Sequence, residues 1–178
     1  TAIIDDGSDV MLFSSEGKAV RFASTDARAM GRVSKGVRGM RLPEGHDVIA
    51  MVIPEHEGYL LTVCQNGYGK RTKVEEFPTK GRGGKGMIAI QASERNGPLV
   101  GTTQLFAGDE IMLISDQGTM VRTRGDEVSV VGRNTQGVRI IRLKENENLV
   151  SLARIAEPEE EELIEGQDTE NTEVSTEE

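Results

Sequence analysis

Apolar residues in this chain come in short runs divided by turn residues, and many of the runs alternate with polar positions. Val10–Phe13 and Ala19–Ala23 flank Ser15-Glu16-Gly17, which predicts a hairpin with glycine in the left-handed conformation. Val37–Leu42 reads Val-Arg-Gly-Met-Arg-Leu, the period of a half-exposed strand. Pro43-Glu44-Gly45 then turns the chain into Val48–Ile53, a nearly all-apolar run that predicts a fourth strand. No candidate helix emerges.

The same order returns twice. Tyr59–Val63, Lys70–Val74, Met87–Gln91 and Leu99–Gln104 form one set, and Ile111–Ile114, Met120–Thr123, Val138–Leu143 and Leu149–Arg154 another. Gly17, Gly67 and Gly118 are spaced by 50 and 51 residues, as are Arg21, Arg71 and Arg122. A third element keeps this register. Gly31–Gly36, Gly81–Gly86 and Gly132–Gly137 all read Gly-Arg-x-x-[Lys/Gln]-Gly and are followed by an apolar residue. Four short strands per unit of about 50 residues predict a propeller blade, with a β-solenoid as the alternative. The units run over 5–54, 55–108 and 109–157. Thr1–Ile4 matches the end of such a unit, so further blades are expected before it. Propellers close with about four to eight blades, and three would leave open edges.

Composition changes the picture at one end. The net charge is −9, but residues 157–178 hold 11 acids and no Lys or Arg. The rest of the chain sets 21 bases against 19 acids. Residues 158–178 are therefore expected to form a disordered acidic tail on a slightly basic body. Twenty-one glycines and no Trp fit a turn-rich all-β chain. Cys64 is the single cysteine, which excludes an intrachain disulfide and fits a reducing compartment. No apolar run approaches the roughly 18 residues of a membrane span.

Among candidate chemistries, Thr79–Gly86 stands out: four glycines and three cations within eight residues, without an acid. Glycine allows close backbone approach, and cations beside exposed amides suit phosphate. It is not a Walker A loop, since no Ser or Thr follows Lys85. His46 and His56 lie in turns without a metal-ligand cluster, Glu75-Glu76 reads as a solvated hairpin end, and no nucleophile–base pair emerges.

Gln65-Asn66-Gly67-Tyr68-Gly69-Lys70-Arg71-Thr72, Thr79–Gly86, Glu94-Arg95-Asn96-Gly97 and Val130–Val138 together resemble the C-terminal domain of the bacterial DNA gyrase A protein. The likeness covers nearly all of 1–157. It implies a six-bladed β-pinwheel whose neighbouring blades exchange strands, of which this chain holds the last three. It further implies a rim that wraps duplex DNA to support negative supercoiling, and assembly with the rest of gyrase A and with gyrase B. The cytoplasmic nucleoid would be its location, with no membrane partner. The tyrosine nucleophile, ATP and Mg²⁺ would act elsewhere in that enzyme, leaving this chain without catalytic residues or cofactors. The family's Gln-Arg-Arg-Gly-Gly-Lys-Gly box belongs to the first blade. Gly81–Gly86 matches only part of it.

On this reading a rim with Lys or Arg in each blade follows a bent phosphate backbone without reading bases. The expected DNA contacts are Arg21, Lys35, Lys70, Arg71, Lys73, Lys80, Arg82, Lys85, Arg122, Arg124 and Arg133. Those from Lys70 to Lys85 form the densest patch. Competing roles stand beside these. Arg21, Arg71 and Arg122 can pair with acids or cover their blade, and Arg82 and Arg133 can fix their loops to a neighbouring blade. Two other functions compete with gyrase wrapping: the corresponding domain of topoisomerase IV, and a propeller-type platform for protein partners. Gly, Lys and Arg in the loops disfavour the platform, which needs apolar or aromatic anchors.

Overall fold

The computed structural model describes residues 1–156, so the expected acidic tail lies outside the described residues. Each repeat opens with an antiparallel hairpin. These are β1 (Asp9–Ser14) with β2 (Lys18–Ala23), β4 (Tyr59–Cys64) with β5 (Tyr68–Lys73), and β8 (Glu110–Ser115) with β9 (Met120–Arg124). Val10 faces Phe22, Leu60 faces Thr72 and Ile111 faces Thr123. The turn glycines adopt the left-handed conformation, with φ of 83° at Gly17 and 81° at Gly67 and Gly118. A single 3-10 turn follows each hairpin: Ser24–Asp26, Val74–Glu76 and Gly125–Glu127.

The last strand of each repeat returns to the first strand of its own hairpin. β3 (Val48–Val52) pairs with β1, β7 (Leu99–Leu105) with β4, and β11 (Leu149–Ile155) with β8. β7 packs beside both β3 and β11, so these strands form the inner side of the array. The third strand goes elsewhere. β6 (Met87–Ile88) joins the outer edge of β2, and β10 (Val138–Arg139) that of β5. Each belongs to the following repeat, which gives sheets ordered β3-β1-β2-β6, β10-β5-β4-β7 and β11-β8-β9. The fold is thus an all-β propeller whose sheets exchange strands.

The strand count corrects the sequence reading. Eleven strands form among the described residues rather than twelve, because Val37–Leu42 carries none. No preceding hairpin exists among the described residues for it to join. It lies instead against the second glycine loop, through Arg41 N–H to Gly84 O (2.8 Å) and Gly83 N–H to Gly39 O (2.7 Å). Met40 is buried with Val10, Val20 and Phe22. Thr1–Ile4 likewise forms no strand and is exposed. The exchanged strands are also shorter than expected, because Ala89 and Ile90 leave the ladder to donate together to Gly17 O.

The core lies between sheets. Met11, Phe13 and Ala19 pack on Leu60, Val74, Phe77, Ile90 and Leu99 at the first junction. There the Phe13 and Phe77 rings meet edge to face, centroids 6.4 Å apart. Leu61, Val63 and Leu105 pack on Ile111, Leu113, Val128 and Ile141 at the second. β4 lies between the two clusters, and this explains its continuous Leu-Leu-Thr-Val-Cys run: both faces are buried. Each such apolar side chain contributes about 1.5–3 kcal/mol of transfer free energy. β8, with one face less covered, keeps strict alternation of burial.

Candidate nucleic-acid interface

Residues 21 and 71 lie in the second strand of their hairpins, and both reach across a junction. Arg21 binds Asp9 (Nε–Oδ2 2.7 Å) and donates from Nη1 to Val74 O (3.3 Å) and Phe77 O (3.1 Å). Arg71 donates to Val128 O (2.7 Å) and Asp126 O (2.9 Å), with its guanidinium 5.0 Å from the Tyr59 ring centroid. The acceptors are carbonyls of the next repeat's 3-10 turn and the residue after it, of which Val74 O also takes the Phe77 N–H (3.0 Å), and carbonyls at such a turn's end favour a cation. The two arginines therefore brace junctions, the competing role weighed for them, and both stay half-buried. At the same register Arg122 meets no following repeat among the described residues. It pairs with Glu110 through Nε (2.6 Å) and Nη2 and stays 58% exposed. Arg124 pairs with Asp126 at the surface.

Lys70 is the clearest correction. Alternation along β5 turns it away from Arg71, and none of it is exposed. Its ammonium donates to Gly132 O (2.7 Å), Arg133 O and Thr135 Oγ1 (3.2 Å). Burial lowers its pKa to about 8, against a smaller opposing effect of Glu76. The sequence held a signal for this: the corresponding positions are Val20 and Val121, so Lys70 occupies an apolar register.

The glycine loops lie along the outer edges of β2 and β5. A Cβ at Gly86 would meet Ala19 O at 2.8 Å, and one at Gly137 would meet Gly69 O at 2.5 Å, so close approach requires glycine. Arg82 donates to Asp26 O (3.2 Å) and Arg38 O, and Arg133 to Ile88 O (2.9 Å). Both tie a loop to the preceding repeat, the structural role weighed for them, while remaining partly exposed. The dense patch expected from Lys70 to Lys85 is therefore divided between junction and surface. Lys35, Lys73, Lys80 and Lys85 are exposed and hold no ion pair among the described residues.

Other cations join them that the sequence reading passed over. Lys18 and Arg41 line one recess with Lys85, at the outer edge of the first sheet. At the second sheet Arg139, Arg142 and Lys144 line another. Arg139 donates to Tyr68 Oη (2.6 Å), and Arg95 stacks on the same ring, 4.3 Å from its centroid. The repeat held a partial signal here: Arg38 and Arg41 stand at the register of Arg139 and Arg142, while the second repeat has Ile88 and Gln91. Lys18 pairs with Glu16 (2.6 Å) and Lys144 acts on Glu147, while the other cations of these edges stand free of acid partners beside backbone loops, an arrangement suited to a polyanion.

The family model described as DNA gyrase C-terminal domain, beta-propeller, matches residues 8–55, 58–103 and 109–156. The chain is 54% identical over 170 residues to the DNA gyrase A protein of Pseudomonas aeruginosa, covering 94% of this chain and 18% of that protein. To its Escherichia coli counterpart it is 56% identical over 154 residues, covering 86% and 18%. It therefore spans less than a fifth of the length of these curated relatives. A solved DNA gyrase A C-terminal domain superposes with a TM-score of 0.79 at 30% identity, covering 86% of this chain and 52% of that one. The C-terminal domain of DNA topoisomerase IV gives 0.80 at 20% identity, covering 86% and 48%, a likeness of fold alone.

Proposed function

This chain belongs to the DNA gyrase C-terminal domain, beta-propeller family, and from that premise we propose that it binds duplex DNA along its outer rim and bends it without reading sequence. One observation carries the reading. The cations at the junctions are engaged by carbonyls, whereas those on the outer edges of the first two sheets, Lys80, Lys85 and Arg142 among them, are exposed without acid partners. Such a row neutralises phosphates one by one and tolerates any base sequence. Among the described residues the only helical elements are 3-10 turns, so no recognition helix is available for a major groove. Tyr59 and Tyr68 are covered by arginines, which disfavours stacking on single strands.

In this reading the chain is the wrapping part of a longer gyrase A protein that acts with gyrase B on DNA in the bacterial cytoplasm. Strand passage and ATP use lie outside the chain, and no cofactor or metal is assigned to it. The test is a salt titration of duplex affinity. Changing Lys80, Lys85, Arg139, Arg142 and Lys144 together to Gln is expected to flatten the log–log slope by about 0.9 for each lost phosphate contact. The loss of affinity is expected to be alike for unrelated sequences. An unchanged slope in a folded variant would place the binding face elsewhere.

A further inference from the structure

We infer that Lys70 is a positioning residue for the duplex path: from inside the second junction it holds the third repeat's glycine loop in register on β5, and so sets where the second rim tract stands relative to the first. The inference rests on the reading of the rim as the DNA-binding surface.

The loop is attached along its length. Arg71 N–H donates to Ser129 O (3.0 Å), Val131 N–H to Arg71 O (3.0 Å) and Thr72 Oγ1 to Val131 O (3.1 Å). Beyond that point Lys70 and Glu76 grip one residue from both sides. Glu76 Oε2 accepts from Arg133 N–H (2.9 Å), and Lys70 donates to Arg133 O. Lys70 also takes Gly132 O and Thr135 Oγ1, and Thr135 Oγ1 donates to Gly132 O (2.9 Å). Three ammonium protons thus meet three acceptors in a site closed to water. Removing the donor would leave Arg133 O without a partner and Gly132 O with Thr135 Oγ1 alone.

The first junction has no such pin. Val20 occupies the position, and the loop there carries its own Lys85, which is exposed. The loop of the third repeat reads Asn134-Thr135-Gln136 and has no lysine of its own. Its cation comes from beneath and is used on the backbone. The oxygens of Gly132 and Arg133 face inward on Lys70 and cannot oppose a phosphate at the rim. Just beyond the loop's tail, on and after β10, stand Arg139 and Arg142, so the register of the loop is passed to the second tract.

The experiment compares the full chain with Lys70→Met, which keeps the reach of the side chain and removes the donors. Hydrogen exchange without DNA is expected to show at least about tenfold faster exchange confined to residues 129–137. A duplex long enough to span both tracts is expected to lose about tenfold in affinity, because the tracts no longer act together. A duplex of about 10 base pairs, which engages one tract, is expected to change less than about twofold and keep its salt slope. Loss of about one slope unit on the short duplex, with the loop still protected, would make Lys70 a direct contact and overturn the inference. So would unchanged exchange and unchanged affinity for the long duplex. If the unmodified chain binds no duplex, the rim reading fails, while the exchange result still decides whether the loop is pinned. Should Lys70→Met not fold, Thr135→Val loosens the loop end of the same pin and is expected to act in the same direction, more weakly.

Discussion

The two junctions between repeats share a backbone and differ in where their cations go. At the first, Val20 lies under the loop, Arg21 braces the next repeat, and Lys80 and Lys85 are exposed. At the second, Lys70 is buried under the loop, Arg71 braces the next repeat, and exposed charge comes from Arg139, Arg142 and Lys144. The junction architecture is therefore indifferent to which residue supplies surface charge. It is strict about the arginine that caps the 3-10 turn and about the glycines where backbones approach.

The glycines test that strictness with the largest expected effect. A Cβ at Gly67 would meet Ile141 O at 2.6 Å, whereas at Gly118 nothing lies within 4 Å, although both have φ of 81°. Gly118→Ala is expected to cost about 1 kcal/mol from backbone strain alone, and Gly67→Ala about 3 kcal/mol or more. Urea unfolding of the two variants measures the difference. Equal losses would mean that close approach of the exchanged strand contributes nothing.

Arginines at one register sharpen the comparison next. Arg71→Ala strands two carbonyls at the second junction and is expected to cost about 1–3 kcal/mol. Arg122→Ala removes an exposed pair and is expected to stay within about 0.5 kcal/mol. A loss at Arg122 matching that at Arg71 would contradict the division into bracing and surface arginines.

The smallest effect is a pH dependence special to the second junction. The groups acting on Lys70 are Glu76, Cys64 and Arg133, and burial outweighs them to bring its pKa to about 8 from 10.5. In that window the unfolded chain binds more protons than the folded one. Stability is therefore expected to rise from pH 8 toward 10.5, relative to Lys70→Met, and to fall again as pH drops through that window toward 8. Parallel stability curves for the two proteins across this window would remove the buried charge from the account.

Much of this was legible in the chain. The spacing of Gly17, Gly67 and Gly118 marks three hairpins because a tight turn imposes its conformation locally. The register of Lys70 with Val20 and Val121 marked a buried position, yet its basic neighbours Arg71 and Lys73 made it read as part of a surface patch. Arg21 and Arg71 could be assigned to neither of their two roles from sequence, because the carbonyls they cap lie 53 and 57 residues away. Arg139 and Arg142 recur as Arg38 and Arg41 but not in the second repeat, which has Ile88 and Gln91, so a pattern required of all three repeats passes over them.

By itself the sequence determined the all-β class, the three repeats, the hairpins with their glycine turns, and the loops rich in glycine and cations. These follow from alternation, turn chemistry and period, which are properties of neighbouring residues. Only the tertiary structure decided which repeat receives each third strand, that Val37–Leu42 stays outside any sheet, and which cations are buried, bracing or free. A strand's pattern states that it will pair but not with what. A cation's role depends on the acceptors that distant segments bring to it, and on whether water can still reach it once they have.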